Sequence, residues 1–239
     1  MKNWQKAAAT TLVTLIVGGT YLFTVWEKRR DPGVIGQQQE VRPAADLDKM
    51  VVMREFFPHY FEDTLRLAGT TVWMKSGYTM SYYPYTDGRV EFGKRLGLIP
   101  AAERMEVKKI IKAVAPAEAH DGIEPGGRQA FAVFIMKGGP QQYATAIGVM
   151  KEGREAYFCD NLFFYDDPHT IYDHWTKSDW AAIDQHQVKL GMSEMEVRMA
   201  IGKKMQVDSR AEGERTVSYD QDGKKWAITF VKDRAVKIE

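Results

Sequence analysis

The clearest pattern in the chain is an uncharged run, Ala7 to Trp26, followed abruptly by Glu27, Lys28, Arg29 and Arg30. At about 1.5 Å of rise per residue, a helix of that length matches the roughly 30 Å hydrocarbon thickness of a bilayer. Trp4 and Trp26 stand at its edges, where amphipathic rings favour the membrane interface, and Lys2 and Lys6 precede it. The pattern predicts a transmembrane helix within residues 1–30. It also predicts that the helix is retained. No small-residue cleavage site follows the run, and the single cysteine, Cys159, is not placed for a lipid anchor. Basic residues flank both ends almost equally, so the positive-inside rule leaves orientation open. The commoner arrangement for one N-terminal anchor is a single pass of the inner membrane with the remaining chain in the periplasm.

Beyond the run, residues 31–45 read as a linker. They hold Pro32, Gly33, Gly36, Gln37 to Gln39 and Pro43, and almost nothing that enters a core. Residues 46–68 predict a short helical stalk, with Asp46 as cap and Leu47, Met50, Val51, Phe57 and Phe61 as an intermittent apolar face. From 69 to 165 short apolar or aromatic runs alternate with glycine turns, which predicts strands at 70–75, 78–85, 96–99, 130–136, 143–150 and 156–165. Val107, Ile110, Ile111 and Val114 have helical spacing in this β-rich context, so 106–114 reads as either element, with strand favoured. Short strands at such spacing suggest a small barrel or sandwich.

Residues 166–239 read as a connector followed by an α+β module. Thr176 caps a helix with Asp179 three residues on, Trp180, Ile183, Gln187 and Leu190 share a face, and Gly191 stops it. Ser193 and Glu196 form a second capping box, and Gly202 ends the second helix. Val217 and Tyr219, then Trp226, Ile228 and Phe230, then Val236 and Ile238 alternate as a three-stranded meander, with Asp222-Gly223 as a hairpin turn. In that register Trp226 faces the helices. The fold class predicted is therefore α+β: a transmembrane helix, a β-rich middle domain and a two-helix, three-strand module.

Two resemblances attach to these residues. Leu190-Gly191-Met192-Ser193, Glu196-Val197 and Ile201-Gly202, with the aromatic hairpin from Trp226 to Phe230, resemble the SmpA/OmlA domain over about 176–239. That resemblance implies a small interaction module of bacterial envelopes; the acylated N-terminal cysteine of those lipoproteins has no counterpart here. Gly97-Leu98-Ile99-Pro100 followed by Val107-Lys108-Lys109-Ile110 is loosely similar to bacterial SH3-like domains, which implies binding, including to cell wall.

A net charge of +1 gives no reason to expect nucleic acid as a partner. Nearly 190 residues follow the linker, enough for one large or two small cores. The densest polar cluster is Asp166, Asp167, His169, Asp173, His174, Asp184 and His186. Asp166, Asp167, His169, His174 and His186 have the chemistry of zinc or manganese ligands, but His169 and His174 are not spaced to share a helix face, and no HExxH or CxxC occurs. The alternative reading is structural, with Asp167-Pro168 opening a helix and Tyr172, Trp175 and Trp180 packing. No cofactor is expected. Tyr82, Tyr83 and Tyr85 crowd one presumed hairpin and, with Trp175, are the candidate interaction residues. The expected function is non-enzymatic: an accessory or binding subunit among envelope and membrane proteins, touching the lipid bilayer through its N-terminal helix. The alternatives are a metal-binding protein or metal-dependent hydrolase using the Asp166–His186 cluster, and a cell-wall binder.

Overall fold

The computed structural model describes residues 18–24, 53–78, 80–117, 123–202, 204–207, 214–221 and 223–239. Residues 18–24 are helical. The rest of the predicted anchor, the linker at 31–45 and residues 46–52 of the predicted stalk lie outside the described residues. Among the described residues no helix is long and apolar enough to cross a membrane. Contacts divide the chain into residues 1–50 and a compact unit, Val51–Glu239.

The unit is mostly β-sheet, a correction to the α+β class. Its helices are short: α1 (Phe61–Thr64), α2 (Cys159–Leu162), α3 (Pro168–Ile171), α4 (Lys177–Asp184) and α5 (Glu194–Ile201). Residues 53–58, expected as stalk helix, are irregular, and α1 begins only at Phe61. The middle region is one nine-stranded antiparallel sheet with the open order β3-β2-β7-β6-β5-β1-β9, where β4 pairs with β2 and β8 with β7. This replaces the predicted SH3-like or small-barrel domain. The strands are β1 (Thr71–Met74), β2 (Ser81–Thr86), β3 (Arg89–Val90), β4 (Gly97–Leu98), β5 (Arg104–Val114), β6 (Arg128–Met136), β7 (Gln142–Lys151), β8 (Arg154–Tyr157) and β9 (Phe163–Phe164).

The centre of that sheet explains its sequence. Gln129 to Phe134 in β6 are all buried, so both faces of the strand are covered and the run is apolar rather than alternating. The one polar member, Gln129, accepts from Glu124 N at 3.1 Å and donates to Glu124 O at 2.9 Å. Residues 106–114 belong to β5, the longest strand. Its register slips between Val107 and Lys109. This bulge lets Val107 and Ile110, an odd number of positions apart, both be buried, and so it imitates a helical period. The predicted strand at 156–165 is instead three pieces: β8 returns along β7, α2 makes one turn, and β9 pairs with β1.

A second sheet, β10 (Lys204–Val207), β11 (Glu214–Gln221), β12 (Lys224–Val231) and β13 (Arg234–Ile238), is antiparallel in sequence order. It has four strands rather than the three predicted, because the chain enters β10 directly after Gly202, whose φ of +88° ends α5. Val217, Tyr219, Ile228 and Phe230 pack with Trp180, Ile183, Val197, Met199 and Ile201 to form its core. Trp226 lies opposite Tyr219 at the end of the meander, half-buried beneath the Lys224 ammonium, 4.8 Å from the ring centroid. Thr176 caps α4 by accepting from Asp179 N, but Asp179 takes the Thr176 hydroxyl rather than its backbone N–H, so only the second box is complete: Ser193 accepts from Glu196 N while Ser193 N donates to Glu196 Oε2 at 2.5 Å. Gly191 does not stop α4. The helix ends at Asp184, His186 turns left-handed at φ +54°, and Leu190 is 62% exposed.

The two cores meet at β9. Consecutive residues of a strand point to opposite faces. Phe163 belongs to the core of the nine-stranded sheet and Phe164 to the core under the four-stranded one.

Candidate functional site

The connector after β9 starts with Asp166, which is committed to the segment preceding α1. Arg54 Nε donates to Asp166 Oδ1 at 2.6 Å and Arg54 N to Asp166 Oδ2 at 3.0 Å, and the Arg54 guanidinium also donates to Tyr165 O. Asp167 is the N-cap of α3, with Pro168 at its first position, and accepts from His169 N at 2.9 Å. The connector then folds over its own rings. Tyr172 and Trp175 stack at 4.4 Å and 12°, Trp175 lies 5.2 Å from Trp180, and Trp180 Nε1 donates to Tyr172 O at 3.3 Å. Burial raises the Tyr172 hydroxyl above its usual range.

His169 stacks on the buried Trp180 at 3.9 Å. Its Nδ1 is 2.8 Å from Asp167 Oδ1 and its Nε2 3.4 Å from Asp184 Oδ1, so it ties α3 to the end of α4. His174 is exposed and touches only the edges of Tyr172 and Trp175 among its ring contacts. The predicted metal candidates are therefore split. Asp167, His169 and His186 line one cleft, Asp166 faces Arg54, and His174 points elsewhere. Among the described residues no group of three or more His, Cys, Asp or Glu side chains is placed to hold a metal ion. Of the predicted interaction residues, Tyr83 and Tyr85 are buried in the sheet core. Tyr82 is half-buried, edge-on to Tyr143 at 5.4 Å, and Trp175 is half-buried in the connector stack. Cys159 is fully buried, and desolvation pushes its thiol up to about 12, which favours the protonated thiol.

The cleft that collects Asp167, His169, Asp184 and His186 has a volume of about 270 Å³. Its opposite wall is Trp73 of β1 and the turn through Ala102 and Glu103 that leads into β5, and Lys137, just past β6, also lines it. Two non-glycine residues on its walls, Ala102 and His186, hold left-handed backbones at φ +59° and +54°. Burial raises the Glu103 carboxyl above glutamate's usual 4.5; His186 and Lys137 pull it down and Asp184 pushes it further up. Nothing in the sequence marked Glu103 or Lys137. They sit in no motif, and only the sheet register and the left-handed turn at Ala102 bring them to the cleft.

The Glu103 shift has a testable sign. A carboxyl raised in the folded state favours folding in its protonated form. That contribution is complete below 4.5 and is lost as pH rises through the elevated folded value. Urea midpoints of the natural chain and Glu103→Gln should converge towards about pH 4 and separate towards about pH 7, with the variant the more stable there. A gap independent of pH would show that Glu103 ionises as it does in the unfolded chain.

No family model, curated protein or solved structure matches the chain. The SmpA/OmlA and SH3-like resemblances rest on their motifs alone.

Proposed function

We propose that the chain is a non-enzymatic binding protein of the bacterial envelope, an accessory subunit of a membrane protein complex, held at the inner membrane with its folded body in the periplasm. The observation that carries the non-enzymatic part is the use already made of the reactive side chains. His169 is held between Asp167 and Asp184 and lies flat on Trp180, Asp166 is engaged by Arg54, and Cys159 is buried with a raised pKa. Groups so engaged stiffen a scaffold rather than turn over a substrate. The half-buried Tyr172–Trp175 stack supplies aromatic surface of the kind enriched in binding hot spots. Support for membrane association is the uncharged run from Ala7 to Trp26, and the envelope assignment follows the resemblance of residues 176–239.

Affinity purification from native membranes, with mass spectrometry of what is retained, tests this reading. The expected result is recovery in the membrane fraction with a fixed set of envelope proteins, reduced by Trp175→Ala and unchanged when His169 and His174 are both replaced by glutamine. Recovery in the soluble fraction would overturn the membrane assignment. Stoichiometric zinc or manganese that disappears with the two histidines would replace the binding reading with the metal-dependent one.

A further inference from the structure

We propose that the cleft between the β1–β5 edge and the end of α4 binds a small zwitterion of the α-amino-acid type, with Glu103 and Asp184 receiving its ammonium and Lys137 its carboxylate. Side chains of opposite charge, Glu103 and Asp184 against Lys137, line this cleft. Among the described residues neither the Glu103 carboxyl nor the Lys137 ammonium makes a hydrogen bond or ion pair, although both line the cleft and Lys137 lowers the Glu103 pKa. A half-buried carboxyl without a hydrogen-bond partner bears a desolvation cost that distant charges offset only in part. His186 adds a second unsatisfied group on the same wall, because its Nδ1 is buried with no hydrogen-bond partner. A ligand carrying both charges meets all three needs at once. Its ammonium forms charge-assisted bonds to the carboxylates, its carboxylate does so with Lys137, and His186 Nδ1 takes one further polar contact.

Size and rigidity agree with that chemistry. The volume of about 270 Å³ lies below the range of about 300–1,000 Å³ that holds drug-sized ligands. The wall is fixed in advance. His169 holds Asp184 through Oδ1 at 3.4 Å and is itself backed by Trp180, so binding requires little ordering. Arg104, the other cation on the rim, is turned towards Thr71 Oγ1 at 3.4 Å and leaves Lys137 as the carboxylate partner. The site does not depend on the membrane or on any protein partner, so its test stands apart from that of the proposed function.

Calorimetry and thermal melts on the full chain in detergent, titrated with alanine, ethylamine and propionate, decide the matter. Alanine should bind saturably and raise the melting temperature. Each single-charge analogue should bind at least about tenfold more weakly, since each lacks one charge-assisted partner. Glu103→Gln and Lys137→Met should each weaken alanine by about tenfold or more, while Lys108→Met, on an exposed part of β5, should leave it unchanged. Lys137→Glu should exchange the preference from alanine to ethylenediamine, a gain of binding that a misfolded variant cannot give. The proposal fails if alanine gives no saturable heat, if ethylamine or propionate binds as well as alanine, or if neither Glu103→Gln nor Lys137→Met changes the affinity.

Discussion

Phe164→Ala is expected to destabilise the folded unit by about 3–5 kcal/mol, the range for emptying a buried aromatic site. For a unit of this size that corresponds to a fall in melting temperature of roughly 10 °C. Phe164 is 7% exposed and sits opposite Trp73 in the β1–β9 pair. Its ring meets Tyr172 edge-on at 6.3 Å and packs into the core under the four-stranded sheet, and the Lys75 ammonium lies 5.6 Å from it. The neighbouring Phe163 enters the other core, so one two-residue strand serves both. Removing Phe164 therefore takes packing from the second core and from its attachment to the first. Circular dichroism and tryptophan fluorescence should both show the loss, with tryptophan fluorescence the earlier because Trp175 and Trp180 lie on the affected side. A melting temperature within about 2 °C of the natural chain would show that the β9 junction is not where the two cores are joined.

Elements specified by adjacent residues were readable in the sequence. The Thr176 cap, the Ser193–Glu196 capping box, the glycine ending α5 and the hairpin between β11 and β12 depend on contacts within three or four positions. The apolar run of β6 marked a strand because nothing else buries Ala130 to Phe134 on both faces. What failed depends on distant partners. The bulge at Val107–Lys109 exists because β6 imposes its register on β5, and it disguised a strand as a helix. Ala156 to Tyr165 looked like one continuous strand, but β8 must return to β7 and β9 must reach β1, so the chain turns through α2 between them. The tyrosines of β2 looked like a binding surface because their alternation puts rings on both sides. Tyr83 and Tyr85 share the face that is buried in the core, and Tyr82, on the other face, is half-buried.

The cleft shows the same division. Asp167, His169 and His186 stood out as a dense polar stretch, and Asp167-Pro168 as a helix start, because both signals lie within a few residues. Their roles were not legible. His169 is a structural tie because Asp184 and Trp180, both from α4, fold back onto it. Glu103 and Lys137 come from the start of β5 and the end of β6, strands whose antiparallel pairing places Met105 beside Met136 and so brings the two charged residues to one end. A pairing register, unlike a cap, is a property of the whole sheet.

Gly148→Ala should produce the other large effect, through space rather than backbone conformation. Gly148 in β7 lies opposite Tyr157 in β8. A Cβ there would stand 2.3 Å from Tyr157 Cδ1, 2.8 Å from Cε1 and 2.9 Å from the Ala156 carbonyl oxygen. The tyrosine ring lies over the glycine and is held by its hydroxyl, which donates to Glu155 Oε2 at 2.7 Å. The substitution must push the ring off or part the two strands, an overpacking cost of about 1–3 kcal/mol. Losing the ring also frees Glu155, which accepts from Phe61 N at 2.8 Å and so fixes the start of α1. Tyr157→Ala combined with Gly148→Ala separates the two contacts. If the ring is the main obstacle, the double variant should be more stable than the sum of the single effects predicts, by about 1 kcal/mol or more. Recovery should still be incomplete, because the Ala156 oxygen is backbone and cannot move aside. Strictly additive urea midpoints would show that the ring does not lie over Gly148 and that the β7–β8 register is different.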